Sequence, residues 1–143
     1  MAYASFRRRA IAFLIDFAAF QPYFIVGGIL SRILPERIGK NVLYFCAGMG
    51  IWANFYNKCI LMGRDGQSWG KKAMKFSLVA EGDQAPMGLT KAVVREAAHM
   101  ADIATLGVGY VMPMWDTKGQ TLADRIMKTV AVDTADAPNK TAS

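Results

Sequence analysis

Two long apolar stretches dominate the chain, Ala10 to Leu34 and Val42 to Met62, and charged positions collect at their ends. Each is near the roughly 20 residues a helix needs to cross a hydrocarbon core, so the pattern predicts two transmembrane helices. Pro22 falls inside the first and predicts a bend there. The short loop from Pro35 to Asn41 turns the chain back. Asn54, Asn57 and Lys58 close the second stretch and are expected near the lipid headgroups. Gly63 to Gly70, with Arg64, Asp65, Gln67 and Ser68, reads as a polar loop.

From Ala73 the period changes to two. Met74, Phe76, Leu78 and Ala80 alternate with Lys75, Ser77 and Val79, and Glu81-Gly82-Asp83 makes a turn. A second strand pattern covers Thr129 to Val132. Strands within a bilayer must close into barrels, and two short ones cannot, so both belong outside the hydrocarbon. They are expected to pair, Lys75 to Ala80 with Thr129 to Asp133. That pairing puts both on one side of the membrane, so the chain between them crosses an even number of times. The third apolar stretch, Ala92 to Trp115, carries Arg95, Glu96, His99 and Asp102, and its cleaner part is broken by Gly107, Gly109 and Pro113. It reads as an amphipathic helix at the membrane edge, a break and a short return, with a single full crossing as the rival. The predicted fold is a mainly α membrane protein: two transmembrane helices, a third broken or re-entrant helical segment, and a small cytoplasmic β pairing. Residues 1–133 form the membrane domain, and 134–143 a small, polar, mobile tail.

Composition adds orientation. The 143 residues suit one domain, and 20% are charged with a net charge of +6. The basic groups flank apolar stretches, which accounts for them without a nucleic-acid partner. With both termini cytoplasmic, 13 of the 17 Lys and Arg residues lie inside: Arg7 to Arg9, six from Arg64 to Arg95, and Lys118, Arg125, Lys128 and Lys140. Arg32, Arg37 and Lys40 lie outside. The first stretch is too long for a cleaved signal core and carries Asp16, so it reads as a retained helix in a multi-pass cell-membrane protein. Cys46 and Cys59, about 20 Å apart along one helix, cannot bridge.

Asp16 is the most informative residue. A carboxylate inside a membrane helix costs about 2.5–3.5 kcal/mol on insertion scales, so it must face protein or water and have a partner. Arg9 lies on nearly the same face, about 10 Å away along the axis. Ala12 and Ala19 flank that face and admit a close neighbour. The expectation is a charge network of Arg9, Asp16, Asp124 and Arg125, with Asp16 held by the Arg7 to Arg9 cluster or by Arg125. It serves either as an ion or proton site or as a structural ion pair.

Arg95, Glu96, His99 and Asp102 form a secondary polar cluster. Glu96 and His99 have the i, i+3 spacing of half a carboxylate–histidine metal site, but no second half follows, so no metal is expected. Ser68-Trp69-Gly70-Lys71-Lys72 lacks phosphate-loop glycine spacing and reads as a headgroup anchor. Phe13, Phe17, Phe20 and Phe24 form a packing or lipid-facing stripe. With no nucleophile beside a base, no paired catalytic carboxylates and no cofactor loop, the chain reads as non-enzymatic and without a cofactor.

Arg9 with Ala12 and Ile15-Asp16, Ser68 to Lys71 before a strand, Arg95-Glu96, and Gln120-Thr121-Leu122-Ala123-Asp124-Arg125 before Thr129 to Val132 together resemble the Arg-Asp-Asp (RDD) family of membrane proteins. The resemblance covers about residues 5–133 and makes Arg9, Asp16 and Asp124 the family's naming residues. Two positions depart from it: Ala123 stands where relatives often have His, which weakens a proton relay, and Trp69 replaces a small residue or Pro. The resemblance implies a fold and a topology, with transport often suspected. Two functions stay open: an oligomeric ion or small-solute transporter component using Asp16, or an accessory subunit of a larger membrane complex. Both imply a lipid bilayer and a homo-oligomer or larger assembly as partners.

Overall fold

Ser5 starts the first helix, its hydroxyl accepting from the Arg8 amide at 3.5 Å. The computed structural model describes residues 2–82, 85–104 and 111–135, with 100–104 as backbone only. Helix α1 runs Phe6–Ile33 and keeps Pro22 within one continuous helix. Helix α2, Glu36–Phe55, returns antiparallel beside it. Among the described residues, α1 alone is long and apolar enough to cross a membrane. The shortfall of α2 comes from its ends, where Glu36, Arg37, Lys40 and Asn54 stand. Ile25, Val26 and Ile29 on α1, with Tyr44, Phe45, Ile51 and Trp52 on α2, are exposed, as suits a membrane-associated hairpin. The phenylalanine stripe divides: Phe13, Phe17 and Phe24 are exposed and Phe20 is buried.

The two helices touch through glycine. A Cβ on Gly27 would lie 2.7 Å from the Cys46 Cβ, and one on Gly39 would lie 2.6 Å from the Ser31 carbonyl oxygen. Side chains at these positions would force the helices apart.

Where a polar loop is expected after Met62, the helix continues. A π-helical turn, Tyr56–Leu61, leads into α3, Met62–Asp65, which ends at Gly66 with φ 69°. The wider π turn changes the phase of the helix, and within it Asn57 and Cys59 are buried while Lys58 is half-buried. Helix α4, Trp69–Ala73, follows directly. Strand β1, Phe76–Ala80, pairs antiparallel with β2, Thr129–Asp133, in the register Phe76 to Asp133 through Ala80 to Thr129. That pairing is the one expected, less Lys75, which turns at φ 56°. The N-terminal arm lies along the other edge of β2: Ala4 N–H donates to Ala131 O at 2.9 Å, and Asp133 N–H to Ala2 O at 3.0 Å.

Helix α5 covers Gly88–Ala104, a short 3-10 turn Met112–Met114, and α6 Leu122–Met127 leads into β2. The helical half of the expected third segment is present, while the proposed break, including Gly107 and Gly109, lies outside the described residues. Leu78, Phe76, Met62, Ala12, Ala92 and Ala131 form a core under the sheet. Thr134 is held by its N–H on Lys75 O at 3.0 Å; the expected mobile tail beyond Ala135 lies outside the described residues.

Candidate functional site

Asp16 is 3% exposed and its two oxygens accept three hydrogen bonds. Asn57 Nδ2 donates to Oδ1 at 2.8 Å, Gly70 N–H donates to Oδ1 at 2.8 Å, and Ser68 Oγ donates to Oδ2 at 2.5 Å. The expected arginine partner is therefore replaced by neutral donors. The reason is steric and local. Ala12 and Gly70 meet so closely that a Cβ on Gly70 would lie 2.0 Å from the Ala12 carbonyl oxygen, which brings the first turn of α4 onto the carboxylate. Ser68 caps α4, accepting from the Lys71 amide at 3.4 Å while donating to Asp16. Asn57 is fully buried rather than at the headgroups; its Oδ1 accepts from the Trp69 amide at 2.8 Å. Trp69 stacks on Phe20, with ring centroids 5.8 Å apart, and this segment clasps the carboxylate.

Asp124 takes the arginines. Arg9 reaches its Oδ2, and Arg95 approaches Oδ1 through Nη2 at 2.6 Å and Nε at 3.1 Å. Thr121 and Asp124 form a reciprocal capping box, each bond 3.1 Å, and Thr129 Oγ1 lies 3.3 Å from Oδ1. Asp124 is 0% exposed. Burial works against its ionisation, but the Arg95 and Arg9 guanidinium groups outweigh that and hold the carboxyl well below the usual range. Arg9 also donates to Gly119 O at 2.5 Å.

The expected four-residue network is thus two separate sites. Arg9 and Asp124 belong together, Asp16 has its own clasp, and Arg125 points to the surface, 2.9 Å from Asp116. Asp116 also accepts from the Gln120 amide, which, with the Lys118 amide and Arg125, lowers its pKa against its own burial. The secondary cluster divides as well. Arg95 joins Asp124, Glu96 pairs with Lys58 at 2.8 Å, His99 lines the neighbouring cavity, and the Asp102 side chain lies outside the described residues. Asn57, Ser68, Gly70 and Lys71 are the site residues that sequence reasoning missed. Ser68, a favoured helix N-cap residue, and the small Gly70 were the available signals.

Between these groups lies a cavity of about 410 Å³. Asp16, Arg9, Lys58, Lys71, Arg95 and Glu96 line it together with Ala10, Leu14, Met62 and Leu78. Lys71 Nζ stands 3.3 Å from Ser68 Oγ. Burial and the Arg95 charge push its pKa down to about 8, against the opposing pull of Asp16.

A helical hairpin with an interior carboxylate, a buried Arg–Asp–Arg centre and a strand pair stitched beneath it defines a class of small membrane-associated proteins. The model of the RDD family matches residues 3–128, and the chain belongs to that family. Among curated proteins it is 40% identical over 98 residues to the proline-rich antigen homolog of Mycobacterium tuberculosis, covering 68% of this chain and 41% of that protein. It is 38% identical over 98 residues to the proline-rich antigen of Mycobacterium leprae, covering 68% and 39%. The chain therefore spans about two fifths of the length of these relatives. No solved structure matches.

Proposed function

We propose that this chain is an oligomeric ion or small-solute transporter component of a cell membrane, with Asp16 as its intramembrane charge site. The supporting observation is that Asp16 lines the cavity while its partners among the described residues are neutral donors. A carboxylate so placed is costly in a membrane helix and marks a functional position by default. The basic-residue distribution favours two crossings with both termini cytoplasmic. Two crossings enclose no pathway alone, so the reading requires several copies.

The test is flux in reconstituted vesicles with Asp16→Asn. The amide oxygen can take over the Asn57 and Gly70 bonds, and the Ser68 hydroxyl can rotate to accept from the amide nitrogen in place of one of its two long Lys71 contacts. The variant should therefore fold and lose flux. Full flux removes Asp16 from transport.

The second reading is a non-catalytic accessory or assembly subunit. The broad exposed apolar faces of α1 and α2 support it. Native mass from a mild extract separates the two, since foreign subunits at fixed stoichiometry belong to the accessory reading.

A further inference from the structure

The charges around the cavity do not cancel one by one. Arg9 and Arg95 share Asp124, and Lys58 is paired with Glu96 at 2.8 Å. Lys71 is left over. Among the described residues its ammonium has a hydroxyl partner, Ser68 Oγ at 3.3 Å, and no ion pair. Asp16 is the nearby carboxylate, but its oxygens already hold three donors and the Ser68 hydroxyl stands between. A cation facing a mainly apolar chamber without its own counter-charge is unfavourable, and a ligand bringing one negative charge would complete the pairing.

The rest of the lining says what the anion must carry. Ala10, Phe13 and Leu14 from α1 form an accessible apolar wall, while Met62 and Leu78, which also line the cavity, are buried in the core and add almost no surface. A small hydrated anion would sit on Lys71 and leave that wall wet, whereas an alkyl chain would cover it. The volume of about 410 Å³ lies within the range of small-molecule pockets, roughly 300–1,000 Å³.

We propose that this cavity binds an anionic amphiphile, an alkyl or acyl chain ending in a carboxylate or phosphate, with the head on Lys71 and the chain along Ala10, Phe13 and Leu14. This names a ligand class for the cavity of the transport reading and rests on it for the site but not for movement across the membrane. The same chemistry is offered by a free fatty acid and by the head of a membrane phospholipid.

The full chain in phosphatidylcholine nanodiscs, labelled by a dodecanoate analogue bearing a photoreactive diazirine on its chain, tests this. Labelling should map to cavity residues and be competed by dodecanoate but not by dodecanol or inorganic phosphate. Lys71→Met should cut it at least about tenfold, the size of one lost charge-assisted contact, and Lys71→Arg should restore it. If Lys71→Met fails to fold, Ala10→Phe, which fills the wall, should abolish labelling instead. Equal competition by dodecanol, displacement by inorganic phosphate, or unchanged labelling in a folded Lys71→Met would each overturn the proposal. Discs containing phosphatidylglycerol distinguish the sources: suppressed labelling identifies a lipid head as occupant, and undiminished labelling a free amphiphile. Labelling without flux removes the transport reading and keeps the site; flux without labelling does the reverse.

Discussion

Asn57 Nδ2 stands 2.8 Å from Asp16 Oδ1, joining residues 41 apart in the chain, and Asn57 has no exposed surface. The same side chain accepts from the Trp69 amide, so one asparagine ties α1 to the π turn and to α4. Asn57→Leu leaves a buried carboxylate short of a donor and a buried amide unpaired. It should cost about 2–3 kcal/mol, the scale of a lost hydrogen bond to a charged group. Asp16→Asn should cost less, since all three contacts can be remade. Unfolding in mixed detergent micelles ranks the two variants, and an Asn57→Leu protein as stable as wild type would contradict the clasp.

Gly70 is the contact point that puts the clasp in place. An added Cβ would sit 2.0 Å from the Ala12 carbonyl oxygen and 3.0 Å from the Asp16 Cγ. Neither backbone can yield without moving α4, so Gly70→Ala should cost about 3 kcal/mol or more, at the upper end for overpacking. Gly28→Ala, inside α1 where a Cβ meets nothing within 4 Å, is the control and should be neutral to about 1 kcal/mol stabilising. Equal melting temperatures for the two would refute the close approach.

Arginines that look equivalent in the sequence differ sharply in the fold. Arg95→Met strips a buried carboxylate of one of its two cations and should cost about 3–5 kcal/mol. Arg125→Ala removes an ion pair whose arginine is largely exposed and should cost about 0–1 kcal/mol. Chemical denaturation of both variants checks the contrast, which fails if Arg125→Ala is the worse.

These differences show what a sequence can and cannot display. The strand pair was legible because a period of two, a turn and a second apolar run all lie in local pattern. The helical hairpin was legible because two long apolar runs flank a short polar turn, although among the described residues α1 alone is long and apolar enough to cross a membrane, and the resemblance rested on residues that the fold does use. The partner of Asp16 was not legible, because neutral donors such as Asn57, Ser68 and a glycine amide carry no charge to be matched by eye. The π turn erased the expected loop boundary, placing Asn57 inward where spacing alone put it at the headgroups. Arg95 was read with His99 through helical spacing, while its partner Asp124 lies 29 residues on.

Acid should loosen the tail from the helices. The Asp124 carboxyl is held below the usual range in the folded chain, so the unfolded state binds the proton more readily. Its stabilisation is complete above the unfolded pKa, about 4, and is lost as pH falls below it. Lys71 has the opposite sign of dependence. Its folded pKa of about 8 lies below its ordinary 10.5, so stability should rise as pH climbs from 8 through 10.5. Denaturation series across pH should show both arms, with Arg95→Met flattening the acid arm and Lys71→Met the alkaline one. An alkaline arm unchanged in Lys71→Met would remove the lysine as its source.

The orientation of the hairpin decides which side of the membrane holds the strand pair. The N-terminal arm and β2 are hydrogen-bonded together, so Lys72 at the end of α4 and the arm share a side, while the α1–α2 connection lies at the far end of the hairpin. Under the basic-residue rule the strand side is cytoplasmic. Lys40 and Lys72 are both exposed and tolerate a probe. Gly39 does not, because any side chain there meets the Ser31 carbonyl. In a background with Cys46→Ala and Cys59→Ala, an impermeant maleimide applied to intact cells should label Lys40→Cys and spare Lys72→Cys. Permeabilised cells should label both. Labelling of Lys72→Cys from outside would invert the orientation, and labelling of neither until permeabilisation would mean that the hairpin does not cross.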